Sequence, residues 1–123
     1  MPEFSPAPFD GKPPSRGEVR AAALATLGDD ESLLEMLMPH FCEASASQAA
    51  QVIDAAKAGD PPQLRHWAHT LKGTLLTVGA NTSSALAARI ELAAREGRTD
   101  GAVEMATRLA AEVAILADYL RPS

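Results

Sequence analysis

Aromatic side chains are scarce, with one Trp, one Tyr and three Phe among 123 residues. Val, Ile, Tyr, Phe and Trp together number 13, too few to furnish the strands of a β-sandwich. Cysteine is nearly absent. Cys42 alone closes no internal disulfide, which suits a reducing, cytoplasmic setting. No apolar run approaches the ~18 residues that a membrane span requires, and Met1-Pro2-Glu3-Phe4 lacks the charged and apolar regions of a secretory leader. Basic residues are outnumbered, 11 against 16, for a net charge of −5, so nothing general attracts the chain to phosphate backbones or membranes. There is no G-x-x-x-x-G-K-S/T loop and no acidic cluster suited to Mg²⁺. Nucleotide chemistry of its own is therefore not expected.

What the chain has is alanine. Of its 57 apolar residues 25 are Ala, leaving 32 larger ones. Alanine has the best helix propensity and lets helices approach closely. The fold class expected is all-α: an antiparallel up-and-down four-helix bundle with one additional short N-terminal helix. Residues 1–15 hold five of the nine prolines and read as an extended, flexible tail or linker, with the domain at 16–121. Ser15-Arg16-Gly17-Glu18 has capping-box form and opens a helix over about 16–27. Asp29 or Asp30 caps a long stretch, 31–58, in which Pro39 predicts a kink or break. Asp60, with Gln63 completing a second capping box, starts a helix to about Val78. Asn81 or Thr82 caps the next, 83–96, and Asp100 the last, 101–120.

The third helix carries the chemistry. At about 100° per residue from Leu64, the residues Trp67, Ala68, Leu71, Leu75 and Val78 fall within about 60° and form the core stripe. His69 falls at about 140°, Lys72 at about 80°, Arg65 at about 100°, Leu76 at about 120° and Gly73 at about 180°. His69 should face outward, with a cation and a bare stretch of helix one turn on. Glycine at mid-helix costs about 1 kcal/mol relative to Ala, and close approach by another protein would offset that cost. A neutral imidazole has a free lone pair near neutral pH and can attack phosphorus without a separate base. Lys72 can balance phosphate charge. His66, at about 200° by the same arithmetic, reads as a solvent residue at the rim. His40, beside Pro39, reads as structural or exposed, and Cys42 and Trp67 as core. Glu91, Glu96, Glu104 and Glu112 read as solvated carboxylates.

Ala68-His69-Thr70-Leu71-Lys72-Gly73 resembles the signature string of histidine-containing phosphotransfer (HPt) domains of multistep two-component phosphorelays. The resemblance extends to Phe41, to Ala58-Gly59-Asp60, to Gly79-Ala80 and to Leu86-Ala87-Ala88-Arg89-Ile90-Glu91, and it covers about residues 16–120. It implies a carrier, not an enzyme. His69 would accept a phosphoryl group on Nε2 from a receiver-domain aspartyl phosphate and pass it to another receiver aspartate. Lys72 would give electrostatic support and Gly73 steric access, with Arg65, His66 and Leu76 as docking contacts. No cofactor or metal of its own is implied, since the receiver would supply Mg²⁺. The carrier would work as a monomer, without nucleic acid or membrane. Ser83, where relatives often carry leucine, and Pro39 depart from the pattern. Three other readings stand beside this one. They are an HPt-like domain of a chemotaxis-type kinase loaded directly from ATP, a helical adaptor that binds a receiver without being phosphorylated, and a zinc-binding bundle using His66 and His69.

Overall fold

The computed structural model describes residues 4–121. They form five α-helices and a 3-10 turn, with no strand among them. The helices are α1 (Arg16–Thr26), α2 (Glu31–Ala58), α3 (Pro61–Leu76), α4 (Asn81–Arg95) and α5 (Ala102–Leu120). Among the described residues no helix is long and apolar enough to cross a membrane.

Helix starts follow local chemistry. The Ser15 hydroxyl accepts from the Glu18 N–H while the Glu18 carboxylate accepts from the Ser15 N–H, a complete capping box. Asp30 caps α2 by accepting from the Leu33 N–H at 3.0 Å, and Asp60 caps α3 by accepting from the Gln63 N–H at 3.2 Å. Gln63 does not return the bond, so that box is half formed. Two expected caps are absent. Helix α4 begins at Asn81 itself, after Ala80, and α5 is preceded by Gly101 instead of Asp100, with no side-chain cap in either case. Nor does Pro39 break its helix, since α2 runs as one 28-residue element through it. The proline has lost a single hydrogen bond, and packing along eight buried positions of α2 holds the helix together.

Helix α2 packs against α3 and α5, α4 packs against α3 and α5, and α1 lies against α5 and α2. Leu34, Val52, Leu64, Leu71, Leu75, Ile90 and Leu109 are fully buried in one continuous core. Ala23, Ala68, Ala87 and Ala106, also buried, bring backbones close at the crossings. The turn between α3 and α4 requires its glycine. Gly79 has φ +66°, and a Cβ there would lie 2.8 Å from the Ala22 carbonyl oxygen of α1.

Residues 4–12 are not the extended tail that their prolines suggest. Pro8–Gly11 form a 3-10 turn, and Phe9 is buried in the core cluster. The turn is held by Glu112 of α5, a residue expected in solvent but fully buried. One carboxylate oxygen of Glu112 accepts from the Ser83 hydroxyl at 2.7 Å, and the other accepts from the Phe9 N–H at 2.8 Å and from Arg108 Nε at 2.9 Å. The Ser83 hydroxyl thus finds its partner in a buried carboxylate. Burial alone would lower the pKa of Arg108. The partners Glu112 and Asp10 outweigh it and raise that value above its ordinary one, so the guanidinium stays charged.

Removing one member of a buried, hydrogen-bonded ion pair strands the other. Glu112→Ala should therefore lower unfolding stability by about 3 kcal/mol or more, read as a shift in urea midpoint. Ser83→Ala, which removes one neutral donor, should cost about 1 kcal/mol.

Candidate functional site

Helix α3 presents His69 as its angular position foretells, with the ring on the side away from Leu64, Ala68, Leu71 and Leu75. The His69 side chain is 66% exposed. Arg65, His66, Gly73 and Leu76 are exposed on the same helix, Leu76 to 48%, and Lys72 is half-buried. The T-shaped contact of the His66 ring with Trp67, at 4.8 Å between centroids, turns His66 toward its own neighbour. Trp67 is partly buried against the core and so anchors the helix only in part. His40 is exposed on α2 and stands apart from this constellation. Cys42 is half-buried, with its thiol directed at the Ala117 carbonyl oxygen at 3.6 Å. The described residues contain no group of three or more His, Cys, Asp or Glu placed to hold a metal ion.

The residue that organises the site comes from α4. Glu91, which the sequence places among the solvated carboxylates, has a side chain only 5% exposed. Its Oε2 lies 3.0 Å from His69 Nδ1 and accepts from the Arg95 guanidinium at 3.1 Å. Its Oε1 accepts from Lys72 Nζ at 2.7 Å. Burial pushes the Glu91 carboxyl up. Hydrogen bonds from Lys72 and His69, with the positive charge they bring, outweigh this and hold it below its ordinary value. Glu91 is therefore a carboxylate that can only accept. In the neutral ring His69 Nδ1 therefore carries the proton and Nε2, the outer nitrogen, keeps its lone pair. Lys72, expected to serve phosphate directly, is held at rest by Glu91.

Gly73 has no internal reason to be glycine. A Cβ built there meets nothing within 4 Å, and its φ lies outside the left-handed region. The residue is exposed one turn from His69, so the space it leaves open faces solvent.

A family model described as Hpt domain matches residues 36–119, more than half of the chain. The chain belongs to the Hpt domain family. Membership implies histidine phosphotransfer in two-component signalling. Hpt domains are phosphotransfer carriers rather than classical enzymes, and they interact with receiver domains. The matched span includes His69 and Glu91 and begins after α1. No curated protein and no solved structure matched the chain.

A carboxyl held below its ordinary value stabilises the fold above that value and loses the contribution as pH falls through the lowered one. The Glu91 carboxyl resonance should accordingly titrate with a midpoint below 4.5, and stability should decline in the same acidic range. In Lys72→Met the midpoint should rise, because the ammonium that favours the charged form is gone. In Glu91→Ala, ¹⁵N spectra of the His69 ring should show the proton moving from Nδ1 toward Nε2.

Proposed function

We propose that this Hpt domain is the histidine phosphotransfer protein of a multistep phosphorelay, with His69 as the phosphoryl carrier. The four long helices then act as an up-and-down bundle with α1 added, a rigid frame for one exposed ring. The observation that supports the reading best is the pairing of an exposed imidazole with a buried carboxylate at Nδ1. A ring oriented in this way offers its lone pair outward without reorganisation when a partner arrives.

In the loading step the Nε2 lone pair attacks the phosphorus of a receiver's aspartyl phosphate in line. The P–N bond forms as the P–O bond to the receiver carboxylate breaks, and that carboxylate leaves with the electron pair. The ring, now bearing phosphoryl on Nε2, keeps its proton on Nδ1, where the Glu91 carboxylate balances the positive charge of the imidazole. Unloading is the reverse reaction with a second receiver aspartate. Mg²⁺ comes with the receiver. Lys72 and Arg95, both held on Glu91 at rest, are the cations of the same cluster and can balance the new phosphoryl charge. Docking uses the open helix at Gly73, the exposed Leu76 and the rim residues Arg65 and His66. A modest interface suits a protein that must release each partner.

Incubation with a phosphorylated receiver should label the chain with a base-stable, acid-labile phosphoryl group, and His69→Gln should abolish the label. Label retained in that variant, or label gained only from ATP with a kinase catalytic domain, would contradict the relay reading. Gly73→Ala separates docking from folding. It should raise stability by about 0.5–1 kcal/mol while slowing transfer from the receiver, measured by urea unfolding and by transfer rate on the same preparation.

A further inference from the structure

The segment before α1 lies outside the span that the family model matches, and none of the site chemistry uses it. Its contacts are nonetheless specific. The Phe9 N–H donates to the fully buried Glu112, and Arg108 donates from one terminal nitrogen to the Ser5 carbonyl at 3.1 Å and to the Asp10 carboxylate at 3.0 Å. The Phe4 ring lies under two guanidinium groups, Arg89 of α4 at 5.6 Å and Arg108 of α5 at 5.2 Å. Phe9 is 7% exposed. The segment therefore bridges α4 and α5. An open groove continues beside it, lined by Asp10, Asn81, Arg89 and Arg108.

We infer that residues 4–10 form a strap that recognises the α4–α5 seam through two phenylalanine rings, one backbone N–H and one aspartate, and that opens without unfolding the helices. The polar contacts divide in a way that allows this. When the strap leaves, Glu112 keeps Ser83 on one oxygen and Arg108 on the other. The buried ion pair closes within α5 and stays intact, so opening strands no charge. Backbone strain works in the same direction. Phe9 and Asp10 both sit at φ 55°, ψ 31°, a left-handed conformation that side chains disfavour and that opening relieves. Among residues 4–12 only Phe9 is buried, with Phe4 partly buried against the core, so two rings supply most of the apolar hold on the strap.

The strap also lies on the far side of α4 from the phosphoryl site. Arg89 and Glu91 are about 200° apart around that helix. Closed or open, the strap leaves His69 in solvent. What opening changes is the α4–α5 seam, where it bares the buried Arg108 guanidinium and the apolar seat of Phe9, beside the already exposed Arg89.

Native-state hydrogen exchange on the full chain tests the inference. The Phe9 amide should be protected, yet should exchange at least about 100-fold faster than the Leu75 and Leu109 amides and with a much weaker urea dependence, as local opening requires. In Phe9→Ala the amide of residue 9 should lose protection while Leu75 and Leu109 keep theirs. Exchange of Phe9 in step with Leu109, at the same urea slope, would make the segment part of the core and overturn the inference. So would an unprotected Phe9 amide in the unaltered chain, or a Phe9→Ala chain that no longer folds. None of these outcomes depends on whether His69 is phosphorylated.

Discussion

One buried carboxylate organises the face of this domain on which His69 is exposed. Glu91 collects a ring N–H, an ammonium and a guanidinium on two oxygens, and gathers those groups around the exposed His69 ring. Without a charged acceptor there, the His69 ring could hold its proton on either nitrogen and rotate freely. With it, one nitrogen is committed and the other is left open. Because Glu91 is satisfied three times over, the cost of burying its charge is met by partners already present.

The helical frame exists to keep α3 and α4 in register. His69 and Glu91 are 22 residues apart, and their meeting depends on Leu64, Leu71 and Leu75 of α3 packing beside Leu86, Ile90 and Ala94 of α4. Small residues at the crossings bring the two axes close, so that the Glu91 carboxylate reaches both His69 and Lys72. The second buried carboxylate, Glu112, does similar work on the opposite seam, where it ties α4, α5 and the leader together. The two faces are built alike and serve different ends. On one, a carboxylate orients an exposed imidazole, and on the other it closes the fold.

Much of this is legible in the residues. The phase of α3 places His69, Gly73 and Leu76 outside and the leucines inside, and the Ser15, Asp30 and Asp60 caps mark three helix starts. The two buried carboxylates depart from their expected place in solvent, for different reasons. Taking about 100° per residue from Leu109, Glu112 falls within about 60° of the core direction. A charge in an apolar stripe is thus a visible signal of burial, and composition alone hides it. Glu91 lies at the flank of its stripe, where a long side chain can turn to solvent or to a neighbouring helix. Only the positions of Lys72 and His69 on that neighbour decide which, and a single helix does not carry that information. The segment before α1 misleads because proline content reports backbone preference and says nothing of Phe9, whose ring packs in the core while its N–H meets Glu112 of α5. Pro39 misleads similarly, since tertiary contacts along α2 outweigh one missing hydrogen bond.

The proposed relay role depends on which nitrogen of which ring takes the phosphoryl group. The most direct measurement is ³¹P and ¹⁵N NMR on ¹⁵N-histidine-labelled chain after loading from a phosphorylated receiver. Coupling of phosphorus to Nε2 of His69, with the proton still on Nδ1, is the result expected. Phosphorus on Nδ1, or on any residue other than His69, would contradict the role assigned to Glu91 and to the exposed ring.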